Sequence, residues 1–142
     1  MKKTKVFVDS DVVISSLLSQ KGAAHLLLNE QNSNFVISNI SQNEIEVVAE
    51  RLNIEQNKPQ DLIKKCLKVI KLKKEISEIK KDFKAYTGDM DDTHIVAGAA
   101  DARAKFLLTY NLRHFQRQKI KEDLGITVLT PAQYLQYLRS LD

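Results

Sequence analysis

The chain has 142 residues, 43% of them hydrophobic and 28% charged, with 22 Lys+Arg against 18 Asp+Glu for a net charge of +4. That length suits one domain with a self-sufficient core, here residues 1–142, and the balance of apolar and charged residues excludes a disordered or fibrous chain. No apolar run approaches the roughly 20 residues that span a bilayer, so no membrane partner is expected. The lone Cys66 cannot form an internal disulfide, which agrees with a cytosolic setting.

Residues 5–9 (KVFVD) predict a short buried strand, and residues 12–18 the helix after it. The basic start imitates a signal peptide, but Asp9 and Asp11 interrupt what should be its apolar stretch. Residues 23–29 predict a second helix after Gly22, and residues 35–38 (FVIS) a second strand. A helix follows over 41–52, where Ser41 and Glu44 read as a capping box and Ile45, Val48, Ala49 and Leu52 as one apolar stripe. Pro59 fits the first turn of a helix running to about Ile70, although residues 69–72 could form a strand. Cys66 lies among Leu62, Ile63, Leu67 and Ile70 at helical spacing, as a core thiol does.

Residues 75–86 predict a helix with Ile76, Ile79 and Phe83 on one face. Asp92 heads an apolar helix over 93–105, and the strand 106–109 (FLLT) follows. A helical turn carries residues 112–115, Gly125 precedes a strand over 126–129, and Pro131 opens a closing helix with Tyr134, Leu135, Leu138 and Leu141. Strands alternating with helices imply right-handed crossovers. The expected fold is α/β, a three-layer α/β/α domain around a mostly parallel sheet of four to five short strands.

In such a sheet, strand ends and helix starts gather on one edge, where ligands bind. The acids Asp9, Asp11, Glu44, Asp89, Asp91 and Asp92 all fall at such positions. Each has a competing explanation: Asp9 and Asp92 can cap helices, and the capping box alone accounts for Glu44. The segment 88–100 (GDMDDTHIVAGAA) is more telling, because three aspartates within four residues exceed what one helix start needs. Carboxylates without thiolate or histidine ligands suit a hard cation such as Mg²⁺ or Mn²⁺. His25 and His94 lack zinc-ligand spacing, and His114 reads as structural or substrate-facing. Ser10, Thr109 and Asn111 place further polar groups at strand ends; Asn111 is either a ligand or a turn residue.

The order VDSDVVIS, SNISQNEI, GDMDDTHIVAGAA, LLTYNLRHF and ITVLTPAQYL resembles a PIN domain, and more narrowly the VapC-like toxins of bacterial toxin–antitoxin systems. The resemblance implies an RNA-cutting enzyme using Mg²⁺ or Mn²⁺, held inactive by a small antitoxin and often a homodimer. By position, Asp9, Glu44 and Asp92 match the family's catalytic, metal-holding acids, and Asp89 matches the leading acid of the Asp-x-x-Asp form. Ser10 and Thr109 match its supporting hydroxyls, with Asp11 and Asp91 as further support. Asn111 stands where many members have a fourth acid, and Asp11 where the first motif often has Asn.

Basic residues would hold substrate phosphates: ten Lys lie between Lys58 and Lys84, and Arg113 and Arg117 follow the fourth motif. Two readings compete. A haloacid-dehalogenase-like phosphatase would use Asp9 as nucleophile within VFVDSDVV, but needs a buried strand before Gly88. A catalytically silent PIN module would bind RNA or a protein partner without cutting.

Overall fold

The computed structural model describes residues 3–141, so Met1, Lys2 and Asp142 of the expected 1–142 domain lie outside the described residues. The elements run β1 (Thr4–Val8), α1 (Ser10–Leu18), α2 (Ala23–Leu28), β2 (Ser33–Ser38), α3 (Asn39–Arg51), α4 (Asn57–Cys66), β3 (Lys68–Ile70), α5 (Ile76–Phe83), α6 (Thr93–Asp101), β4 (Phe106–Leu108), α7 (Arg117–Leu124), β5 (Thr127–Leu129) and α8 (Pro131–Ser140). Short 3-10 turns cover Lys84–Tyr86, Met90–Asp92 and Leu112–His114.

All five strands are parallel, in the order β3-β2-β1-β4-β5. Register pairs Val6 with Phe35 on one side and with Phe106 on the other. The alternation of β1 divides the core in two: Val6 and Val8 pack with Val12, Leu27, Ile45 and Tyr134 on one face. Phe7 packs with Val36, Ile95, Ala99, Leu107 and Ile120 on the other. Helices thus cover both faces, as the sequence predicts for a three-layer α/β/α domain. Chain order reverses between β1 and β4, which opens a crevice beyond their carboxyl ends.

Helix α6 lies close to the sheet because Gly98 faces the Phe7 ring; a Cβ there would collide with Phe7 Cζ. It stops at Asp101 rather than Lys105 because Arg103 turns left-handed at φ 56°. Ala104 N–H then donates to Ala99 O and Arg103 N–H to Ala100 O, closing a Schellman motif. Helix α3 ends the same way at Asn53, φ 58°.

Several expectations need correction. The capping box of α3 does not form: the helix begins at Asn39, its N-cap is Ser38, and Ser38 Oγ accepts from Ser41 N–H at 3.1 Å. Ser41 is therefore inside the helix and Glu44 on its second turn, free of any capping duty. Leu52 and Ile76 face solvent at 46% and 55% exposure, so each expected apolar stripe is one residue shorter. Helix α4 ends at Cys66, and the strand alternative forms at Lys68–Ile70. Helix α7 has no counterpart in the sequence reading. No strand precedes Gly88, where residues 76–86 are helical, which removes the support for a phosphatase of the haloacid-dehalogenase type. Cys66 is half-buried against the core and burial raises its thiol pKa, as befits an unreactive packing residue.

Candidate active site

Asp9 leaves β1 at the crevice and occupies the N-cap position of α1, yet makes no capping hydrogen bond. Its side chain turns across to β4 instead, where Thr109 Oγ1 donates to Asp9 Oδ2 at 2.9 Å. Both groups are buried, Asp9 at 7% exposure. Asp92 holds the equivalent place before α6 and likewise caps nothing; its Oδ2 lies 3.0 Å from His114 Nδ1. Of the two explanations open for these aspartates, capping is the one their geometry does not use.

Glu44 reaches the same place from α3. Its Oε1 is 3.3 Å from Ser10 Oγ and 3.2 Å from His94 Nε2. Ser10 Oγ is also 3.4 Å from Asp9 Oδ1, so one hydroxyl lies between two carboxylates. Asp11 projects from the first turn of α1, which is helical and not the extended segment that would align it with Asp9. It meets the site nonetheless: Asp11 Oδ2 accepts from Tyr110 N–H at 3.0 Å and Asn111 Nδ2 at 3.3 Å. Asn111 N–H in turn donates to Thr109 Oγ1 at 3.0 Å.

Asp9, Ser10, Asp11, Glu44, Thr109 and Asn111 therefore form one hydrogen-bonded cluster, and the charge of Asp92 acts on Asp9 and Asp11 within it. Asp89 stands one turn away and does act as a cap, accepting from Asp91 N–H at 2.9 Å. Asp91 turns outward, 84% exposed and 3.7 Å from Lys80. Arg113 and Arg117 are exposed, and among the described residues neither makes an ion pair or a side-chain hydrogen bond. The sequence set His94 aside for want of zinc-ligand spacing and read His114 as structural or substrate-facing; the structure puts both against site carboxylates, His94 on Glu44 and His114 on Asp92. Position alone offered the signal: His94 lies two residues past Asp92, in the first turn of α6, facing α3.

Burial and crowding mark the electrostatics. Desolvation, then the charges of Asp11, Asp92 and Glu44, push Asp9 up to about 7, against the pull of the Thr109 hydrogen bond. Desolvation also raises Asp11, and raises Asp92 despite the opposing hydrogen bond from His114. Asp11 Oδ1 is buried without a hydrogen-bond partner. An orphaned carboxylate oxygen beside the charges of Asp9 and Asp92 is what a hard cation would satisfy, so the residues present fit Mg²⁺ or Mn²⁺. Among the described residues, however, no three His, Cys, Asp or Glu side chains converge as a ready-made metal cage. The fit is that of an ion that keeps several of its waters, as Mg²⁺ commonly does.

The chain resembles, over its fold, a chain of a toxin–antitoxin complex from Klebsiella pneumoniae, with TM-score 0.66 and 23% identity, covering 89% of this chain and 97% of that one. It is similar at TM-score 0.58 and 14% identity to a chain of VapBC2 from Rickettsia felis bound to a promoter DNA fragment, with coverages of 88% and 97%. A chain of FitAB bound to a DNA fragment matches at TM-score 0.57 and 14% identity, with coverages of 89% and 94%. Comparison with curated proteins finds no match. The family model described as PIN domain matches residues 5–113, a span that contains every member of the carboxylate cluster, and the chain belongs to that family.

Proposed function

We propose that the chain is a metal-dependent endoribonuclease, the toxin of a toxin–antitoxin pair, in which Asp9, Glu44 and Asp92 hold Mg²⁺ or Mn²⁺. The carrying observation is that Asp9 and Glu44 share the Ser10 hydroxyl, the charge of Asp92 acts on Asp9, and none of the three carboxylates serves as a helix cap. Family membership supports a nuclease. The toxin–antitoxin complexes among its structural relatives support a small antitoxin partner. A cytosolic location, a homodimer and a single domain over 1–142 belong to the same reading. No helix among the described residues is long and apolar enough to cross a membrane.

A divalent ion bound there supplies a water of lowered pKa and offsets charge on the scissile phosphate. The chain's own groups do the rest. Burial and the neighbouring carboxylates raise the pKa of Asp9, so its ionised form lacks a counter-charge that a bound cation would supply. Thr109 and Ser10 fix the two oxygens of Asp9, while His94 and His114 orient Glu44 and Asp92. Asp11 supplies a further oxygen beside Asn111, where the fourth acid of many relatives would stand. Asp89 and Asp91 lie at the rim, and Arg113 and Arg117 are placed for phosphates arriving beside the His114 turn.

Purified protein is tested on a panel of RNAs with Mn²⁺ or with EDTA, beside Asp9→Asn and Asp92→Asn. Cleavage by wild type in Mn²⁺ alone, reduced at least about 100-fold in each variant, is expected. Cutting that persists in both variants sinks the site assignment. The absence of a closed ligand cage, together with Asn111, favours one second reading, a silent module that binds RNA. Calorimetric titration with Mn²⁺ separates the two, because the silent module has no binding that Asp9→Asn and Asp92→Asn remove.

A further inference from the structure

Four hollows, each sharing at least one lining residue with the next, lie in sequence from the starts of β1 and β2 to Glu44 at the near side of the site. The first, about 560 Å³, opens at the starts of β1 and β2 and is lined by Lys5, Lys65 and Lys68. The second, about 310 Å³, shares Lys5, Val36 and Lys68 with the first and adds Arg103. A third of about 560 Å³ shares Asp101 with the second and passes Lys71 and Lys73. The last, about 310 Å³, shares Ile79 with the third and is lined by Glu44 and His94 of the site.

The strand register explains the cations at the first bend. Lys5 pairs with Asn34 and Val36 with Lys68, so these side chains share the face that α6 covers, and Arg103 arrives just beyond the end of α6. Among the described residues none of Lys5, Lys65, Lys68, Lys71, Lys73 and Arg103 makes an ion pair. The acids along the path before Glu44 are Glu30 in the first hollow, held by Ser33 and Asn32 N–H, Asp101, and Asp91 in the last hollow, 3.7 Å from Lys80.

Ordinary structural duties account for only part of this. Lys65 and Arg103 offset the negative ends of α4 and α6, and Lys68 on an edge strand discourages pairing with other chains. Lys5 on central β1, and Lys71 and Lys73 beyond β3, serve neither purpose.

We propose that this row of cations is an RNA track: a single strand lies by its phosphates along the outer edge of the sheet and delivers one phosphodiester to the carboxylates. The inference rests on the nuclease reading and assigns the strand's course. The path offers charge without a row of aromatic platforms, so it grips backbone and not sequence.

The test is fluorescence anisotropy in EDTA, which prevents cutting, with a 20-nucleotide and a five-nucleotide RNA between about 50 and 200 mM salt. Lys5→Gln/Lys68→Gln/Lys71→Gln is compared with wild type and with an off-track control, Lys21→Gln/Lys119→Gln/Lys121→Gln. Each lost phosphate contact lowers the salt slope by about 0.7, so wild type should lose about 20-fold more affinity for the long RNA over that range than the track variant. The five-nucleotide RNA should bind both alike. Where the triple variant fails to fold, Lys71→Gln/Lys73→Gln removes two exposed side chains and should lower the slope by about 1.4, a difference of about 7-fold over the same range. An unchanged slope, or an equal loss in the off-track control, overturns the track. A protein that cuts RNA in Mn²⁺ with no slope change refutes the track alone. A slope change without any cutting refutes the nuclease reading and leaves the track standing.

Discussion

A carboxylate at 7% exposure with a pKa of about 7, against an ordinary 3.8, makes Asp9 a cost to the fold whenever it is ionised. The folded state keeps a proton on Asp9 at pH values where the unfolded chain has already released it. Stability therefore falls as pH rises from the unfolded pKa near 4 through the folded pKa near 7. Asp9→Asn removes that dependence and still accepts the Thr109 hydrogen bond. In EDTA at pH 7.5 the variant should be more stable than wild type by roughly 1–3 kcal/mol, with the gap shrinking toward pH 5. Denaturant melts at the two pH values check this. A gap that stays constant means Asp9 is not the titrating group. Position at strand ends and helix starts marked six acids, and it was the resemblance of the motifs to a PIN domain that singled out Asp9, Glu44 and Asp92 among them. Sequence could not show that Asp9 turns away from capping toward Thr109, 100 residues on, since both rotamers suit the same local sequence. Nor could it reveal His94 against Glu44, a contact between helices 50 residues apart whose register no local pattern encodes.

At the level of elements, α6 shows how tightly the site's platform is set. Its apolar residues Ile95, Val96 and Ala99 press on the sheet, and the approach is close enough that Gly98 alone clears the Phe7 ring. Gly98→Ala gains up to about 1 kcal/mol of helix propensity. It also forces a fully buried Phe7 aside in a packed core, at about 1–3 kcal/mol. Net destabilisation of roughly 1–2 kcal/mol is expected, read as a lower denaturation midpoint, and a stabilised variant would contradict the packing described. Such contacts explain which elements were legible. β1, β4 and α6 carry continuous apolar runs, and α8 opens on the Thr130–Gln133 capping box with Pro131 in its first turn. Helix α7 escaped because only Ile120 among its eight residues is buried, leaving almost no periodic stripe to read. The start of α3 was misplaced because Ser38 and Ser41 are both good caps by type, and only the end of β2 decides between them.

Across the whole molecule, parallel strands sort the charge. Every strand's carboxyl end faces the same edge, so Asp9, Asp11, Glu44, Asp89, Asp91 and Asp92 crowd there while the chain as a whole carries +4. Without a cation, mutual repulsion and burial of these groups work against the fold, as the raised pKa values of Asp9, Asp11 and Asp92 record. An ion that binds only the folded state must then stabilise it, by about 2.7 kcal/mol at a concentration 100 times its Kd. Thermal melts at pH 7.5 should rise by several degrees with Mn²⁺ and return on adding EDTA. Sodium chloride at matched ionic strength screens exposed charges but does not fill a site, so it should reproduce little of the rise. Asp9→Asn/Asp92→Asn should begin at a higher Tm than metal-free wild type and gain almost nothing from Mn²⁺. If the double variant rises as much as wild type, the ion binds elsewhere and the crevice is merely acidic. If sodium alone matches Mn²⁺, the effect is screening. A rise confined to wild type ties the sheet's one-sided charge to a cation held at the end of β1.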